Sequence, residues 1–157
     1  RRALLEALDK ELRRSRRYHR RLALLFLDVD HFKTINDEHG HAFGDRVLRH
    51  LTGATAALIR LADIFGRYGG EEFVIGLVEC DEPMAEEVAE RIRQTIARTA
   101  FEWDGHRAHI TVSIGVALST PEVATLDALI EQADRALYRA KTRGRNRVEL
   151  YRPSPPA

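Results

Sequence analysis

Apolar residues recur every three to four positions in some segments and run unbroken or alternate in others, and each change of period marks a new element. Residues 2 to 20 set Leu5, Leu8 and Leu12 as a stripe among charges, which predicts an amphipathic helix. Leu22 to Val29 (LALLFLDV) is a short apolar run that ends at acids, the pattern of a fully buried strand, with Asp28 and Asp30 at its end. Val47, Leu48, Leu51, Leu58 and Ile59 have helical spacing and predict a helix from Asp45 to Arg60. Gly40 and Gly44 break any earlier helix, and Asp45 is placed to cap this one. Asp63 to Tyr68 and Glu71 to Leu77 flank Gly69-Gly70 as a β-hairpin. Asp81-Glu82-Pro83 opens a helix with Met84, Val88, Ile92 and Ile96 as its inward stripe.

Asp104-Gly105 then joins Phe101 to Trp103 with Arg107 to Leu118 as a second hairpin. Its long arm alternates Ile110, Val112, Ile114, Val116 and Leu118 with the small Thr111, Ser113, Gly115 and Ala117, so at least the branched face is buried. A last helix from about Thr125 to Thr142 is stopped by Gly144, and Arg147 to Tyr151 forms a short final strand. The order contains a βαββαβ core and predicts an α+β fold, with helices flanking a mostly antiparallel central sheet. No linker or internal repeat interrupts it, so residues 1 to 152 read as one domain followed by a Pro-rich tail, residues 153 to 157.

The 157 residues leave no room for a second catalytic domain, and 44% hydrophobic with 31% charged residues is an ordinary globular composition. The longest apolar run is too short to span a bilayer. A single cysteine, Cys80, excludes an internal disulfide framework and a Cys-rich zinc site. Net charge is only +1, yet residues 1 to 21 carry nine basic and three acidic side chains. That bias reads as a solvated helix face ahead of a nucleic-acid or membrane arm, because the leucine stripe lies beneath it. No nucleic-acid partner is expected.

Neither a P-loop nor a GxGxxG fingerprint occurs. The chain offers acids at structural edges instead: Asp28 at a strand end, and Glu71 and Glu72 after a turn that folds back beside it. Carboxylates converging on one point repel unless cations join them, and hard oxygen ligands select Mg²⁺. Taken singly, each acid reads first as a solvent-facing strand end or an exposed turn. His39 and His41 flank Gly40 without a third ligand at zinc spacing, which argues against a zinc site.

Six ordered motifs carry more: Asp28 to Asp37 (DVDHFKTIND), Gly40 to Asp45 (GHAFGD), Arg67 to Phe73 (RYGGEEF), Val112 to Gly115 (VSIG), Ala133 to Lys141 (ADRALYRAK) and Gly144 to Asn146 (GRN). From Arg1 to Tyr151 the chain resembles the GGDEF domain of bacterial diguanylate cyclases, with the signature loop in its GGEEF spelling. The family's usual opening motif, Asp-x-Leu-Thr-Gly-Leu followed by Asn-Arg, is missing, consistent with truncation just upstream of Arg1.

The resemblance implies a fold like that of nucleotide cyclase and polymerase palm domains, and condensation of two GTP into cyclic di-GMP with release of two pyrophosphates. It implies two Mg²⁺ per site, with Mn²⁺ as a substitute, held by Asp28, Glu71 and the Val29 carbonyl, with Glu72 as a further metal or neighbouring group. Asp28 and Glu71 are the implied catalytic acids, Glu71 helping to deprotonate the 3′-hydroxyl. Gly69 and Gly70 pass close to the nucleotide, and Asn36 and Asp45 match the guanine-reading pair. A carboxylate suits that task, since it accepts from N1 and N2 hydrogens that adenine's edge lacks. Lys33, Lys141 and Arg145 match phosphate contacts, and Phe32 belongs to the same substrate-binding set.

Arg60-Leu-Ala-Asp63 lies five residues before Gly69, where the family places its RxxD product-inhibition motif. Arg91 matches a secondary arginine of that site, although an i,i+4 pair with Glu87 explains it as well. As in the family, catalysis would need two copies of the domain meeting antiparallel, brought together by an upstream sensor or coiled coil outside this sequence. A cytoplasmic domain of a bacterial protein is expected, its parent soluble or membrane-anchored. The alternative is a catalytically silent module that binds GTP or cyclic di-GMP.

Overall fold

The computed structural model describes residues 1–155, and residues 153–155 of the tail take no regular structure. Residues 156 and 157 of the predicted tail lie outside the described residues. Helix α1 (Arg2–Arg17) leads into strand β1 (Leu22–Val29), α2 (Phe32–His39) and α3 (His41–Ala56). Strands β2 (Ile64–Gly69) and β3 (Glu72–Val78) form the first hairpin, and α4 (Glu82–Arg98) follows. Strands β4 (Phe101–Trp103) and β5 (His106–Ala108) precede β6 (Val112–Leu118), α5 (Leu126–Thr142) and β7 (Val148–Leu150).

Five strands form the central sheet in the order β2-β3-β1-β6-β7, while β4 and β5 pair separately. The β2-β3, β3-β1 and β1-β6 pairs are antiparallel and β6-β7 is parallel, so the mostly antiparallel α+β expectation holds. All eight residues of β1 are buried because the strand is central and covered on both faces. Ala23, Leu25, Leu27 and Val29 join the core under α3 and α4, and Leu22, Leu24 and Phe26 join the core under α1 and α5. The strand period of two therefore turns Asp28 toward the α5 side. On β6 the small residues make that side thin: a Cβ on Gly115 would lie 2.1 Å from the Ala133 carbonyl oxygen. Helix α5 therefore rests directly on the strand, which brings its C-terminal turn over the end of β1.

Five expectations change. Asp45 is not an N-cap: α3 begins at His41, and a further helix, α2, precedes it. Gly40 does end α2, with φ at 88°, but Gly44 sits inside α3 because a Cβ there would overlap Asn36 Oδ1 at 1.8 Å. The stripe of α4 is Ala85, Ala89, Ile92 and Ile96, with Met84 exposed and Val88 half-buried, because small residues let the helix sit close to the sheet. The run from Arg107 to Leu118 divides between β5 and β6. Asp104 and Gly105 turn the short hairpin with φ of 51° and 76°, and the chain then leaves it for the central sheet. On α1, Leu4 with Leu8 and Leu12 faces inward and Leu5 is half-buried.

Candidate active site

Asp28 lies opposite Glu72 of β3 on one side and Ser113 of β6 on the other. The Val29 amide donates to the Glu71 carbonyl at 3.2 Å, which ties the hairpin tip to the end of β1. Arg67 Nε donates to the Gly70 carbonyl at 2.8 Å across the turn, where the β2-β3 register shifts. Neither Gly69 nor Gly70 has a positive φ, so the turn itself does not demand glycine. Nor does the fold crowd them: a Cβ on Gly70 would meet nothing within 4 Å, and one on Gly69 would approach the flexible Glu72 Oε2 at 3.3 Å. A second molecule can approach the bare backbone there.

Asp28, Glu71 and Glu72 share one electrostatic neighbourhood. Burial raises the Asp28 carboxyl above its usual value, opposed chiefly by Lys141, whose Nζ donates to Oδ2 at 2.9 Å. Burial and then the Asp28 charge raise both Glu71 and Glu72. Among the described residues only one ammonium is bonded to this set, and Arg145 adds positive potential at Asp28. Among the described residues no three His, Cys, Asp or Glu side chains are grouped as a metal cage. The donor chemistry still fits a hard dication: carboxylates that resist ionisation because they are buried together gain from a cation between them.

Phe32 is buried at the start of α2, with Lys33 exposed beside it. His31, before the helix, has a left-handed φ of 54°. Asn36 Oδ1 is buried without a hydrogen-bond partner and abuts Gly44, next to Asp45. Such an orphan acceptor is costly unless something donates to it. Asp45 lines a cleft of about 360 Å³ with Leu48, Arg49, Thr52, Arg67 and Phe73, so the first turns of α3 and the signature hairpin share one cavity.

At another edge Asp63, with only 2% of its side chain exposed, accepts from the Arg60 amide at 2.8 Å, Arg60 Nη2 at 3.2 Å and the Val78 amide at 3.0 Å. Arg91 Nη2 donates to the Leu58 carbonyl at 2.9 Å, and no ion pair with Glu87 forms among the described residues. Arg60, Asp63 and Arg91 line one pocket of about 210 Å³ with Leu58, Cys80 and Met84. Burial pushes the Cys80 thiol up to about 11, so it stays protonated there.

From the sequence Asp30 is no more than the end of a strand. The structure buries it and gives it Thr111 Oγ1, Ser113 Oγ and the Asn146 amide as donors, at 2.7, 2.7 and 3.0 Å. The signal was in the sequence: two hydroxyls at alternate positions of an otherwise apolar strand mark a polar group across from them.

The family described as "Diguanylate cyclase, GGDEF domain" matches residues 1–147, and the chain belongs to it. Diguanylate cyclase A of Treponema denticola is 42% identical over 129 residues, covering 82% of this chain and 35% of that relative. Diguanylate cyclase DosC of Escherichia coli is 41% identical over 155 residues, covering 98% of this chain and 34% of the relative. The chain thus spans about a third of the length of these curated relatives. The active GGEEF domain of a diguanylate cyclase from Vibrio cholerae superposes with a TM-score of 0.92 at 36% identity, covering 98% of this chain and 97% of that one. The GGDEF domain of DgcB from Caulobacter crescentus, in complex with c-di-GMP, gives 0.89 at 31% identity, covering 93% and 86%. No helix among the described residues is long and apolar enough to cross a membrane.

Proposed function

We propose that this domain condenses two GTP into cyclic di-GMP. The observation that carries the reading is the gathering of Asp28, Glu71 and Glu72 at one strand end, their carboxyls raised by burial and mutual repulsion, under Lys141 and Arg145. Asp28, Glu71 and the Val29 carbonyl would hold two Mg²⁺, or Mn²⁺ in their place, with Glu72 beside them. The ions, when bound, neutralise the triphosphate and polarise the attacking oxygen.

The chain's own groups do the rest. Glu71, ionised, takes the proton of the 3′-hydroxyl as that oxygen attacks the α-phosphorus of the other GTP and pyrophosphate leaves; the second bond closes the ring in the same way. Lys141 exchanges Asp28 for phosphate oxygens, and Arg145 and Lys33 add charge to the same anion. Asn36 and Asp45 read guanine, which gives the orphan Asn36 Oδ1 a donor. Phe32, Gly69 and Gly70 shape the nucleotide's seat. One domain holds one GTP, so two copies meet antiparallel, and an upstream domain supplies their proximity. Cyclic di-GMP bound at Arg60, Asp63 and Arg91 feeds back on the reaction.

The test is incubation of concentrated protein with GTP and Mg²⁺, with nucleotides separated and identified by mass. Cyclic di-GMP should rise more than linearly with protein concentration and fall when product is added. GTP binding without turnover, persisting after fusion of a dimerising coiled coil ahead of Arg1, would instead identify a silent binding module.

A further inference from the structure

Directly after α5 the backbone enters a conformation that side chains resist. Gly144, Arg145 and Asn146 have successive φ values of 114°, 62° and 46°. A left-handed non-glycine residue is strained, so two in a row persist only where the surroundings hold them. What holds them is visible. The Arg145 amide donates to the Ala140 carbonyl at 3.0 Å, closing the helix end. The Asn146 amide donates to Asp30 Oδ2, and the Asn146 side-chain oxygen accepts from Arg93 Nη1 at 2.8 Å. Arg93 is itself clamped by Glu90 on α4.

Asp30 is the hub of this arrangement. Its side chain is taken up by Thr111, Ser113 and Asn146 and makes no bond to Lys141, unlike Asp28 two residues away. One carboxylate therefore ties the end of β1, the entry to β6 and the left-handed loop together. The loop carries Arg145, whose charge is felt at Asp28.

We propose that Asp30 is a positioning residue: by bonding the Asn146 amide it locks the left-handed loop that aims Arg145 at the substrate phosphates. The inference rests on the cyclase reading for what Arg145 contacts, and Asp30 acts through Arg145 without touching substrate. A hub of this kind differs from simple structural support in one respect. Its loss should matter to GTP only while Arg145 is present.

A double-mutant cycle reads that coupling. GTP affinity and the KM and kcat of turnover are measured for the wild type, Asp30→Asn, Arg145→Ala and the pair. Asp30→Asn keeps the size but replaces one acceptor by a donor facing donors. Each single change should raise KM roughly tenfold, with kcat moved less, as expected for loss of one charge-assisted contact. The pair should be no worse than Arg145→Ala alone. A second, ligand-free readout is amide hydrogen exchange, which should quicken at Asn146 in Asp30→Asn and stay unchanged in the middle of β1. Independent, multiplying effects on KM, or an Asn146 amide as protected as in the wild type, would overturn the proposal. If the wild type neither binds nor turns over GTP, the cyclase reading fails and the exchange experiment alone decides for or against the lock. Should Asp30→Asn not fold, Thr111→Val removes one donor from the same carboxylate and carries both readouts, with smaller shifts in the same directions.

Discussion

The strand end around Asp28 and the turn around Asp63 both bury a carboxylate, and they treat it in opposite ways. Asp63 accepts from two backbone amides and a guanidinium, all within its own corner of the chain. Asp28 has one side-chain partner, Lys141, and faces two further acids whose carboxyls it raises. One site is electrostatically complete and must exchange bonds to admit a ligand. The other is left acidic and under-compensated, as expected of the cation site proposed above and not of a turn that holds itself together.

The largest effect should fall on the under-compensated side. Asp28→Asn keeps the volume and removes the charge, so cyclic di-GMP formation with Mg²⁺ should drop by about 10³-fold or more, as expected when a metal-holding or transition-state group is lost. Glu71→Gln should match it. Thermal unfolding of both variants should stay close to the wild type, since neither residue fills the core. Turnover retained by either variant, measured by product mass, would mean that the acids do not act together.

Titration separates the two sites next. Asp28, Glu71 and Glu72 have raised carboxyls in the folded state, which therefore binds more protons than the unfolded chain between the ordinary and the raised pKa. Their contribution to stability is fully present below the ordinary value and declines as pH rises through that window. A dication binds the ionised acids, so Mg²⁺ should raise Tm above the window and lose its effect below it. At ten times the dissociation constant the gain is about 1.4 kcal/mol, or roughly 3–6 °C for a domain of this size. Scans of Tm against pH with and without Mg²⁺ read this directly, and Asp28→Asn should erase the difference.

Stability should reverse the ranking. Asp63→Ala leaves the Arg60 and Val78 amides without their acceptor in a buried corner, and should cost about 2–3 kcal/mol in denaturant unfolding. Arg60, with 55% of its side chain exposed, should cost less than about 1 kcal/mol as Arg60→Ala. That variant should nonetheless lose inhibition by cyclic di-GMP, since its guanidinium is the part of the corner that solvent can reach.

The contrast between these sites was only half legible in the sequence. Strand β1, the Asp104-Gly105 turn and helix α5 follow from apolar period and from Asp-Gly and Thr125 signals that are local, whereas the first hairpin turns one residue later than Gly69-Gly70 predicts, at Gly70-Glu71. Thr125 caps α5 by accepting from the Ala128 amide at 3.2 Å. The register of α4 was not legible, because alanines at 85 and 89 carry little hydrophobic signal and Met84 and Val88 carry more. Nor was α2, whose eight residues include only Phe32 and Ile35 as buried anchors. For the site, motif spacing named the acids, but the Asp30 network and the Lys141 to Asp28 bond depend on α5 pressing against Gly115. The Lys141 to Asp28 bond spans 113 residues of chain and has no local signature.

Arg91 offers the smallest and sharpest comparison, because two explanations of it lead to different variants. Helical spacing pairs it with Glu87, whereas its guanidinium donates to the Leu58 carbonyl at the rim of the Arg60 pocket. Side-chain loss in Arg91→Ala removes one of two arginines from that rim, and the inhibition constant for cyclic di-GMP should rise by about three- to tenfold, less than for Arg60→Ala. Glu87 lines the same pocket with a charge that opposes an anionic ligand. Glu87→Ala should therefore leave inhibition as strong or strengthen it slightly. If Glu87→Ala weakened inhibition as much as Arg91→Ala, the helical pair would be what orients the arginine, and the Leu58 contact would be incidental. Dose-response curves for the three variants, taken at one salt concentration, distinguish these outcomes.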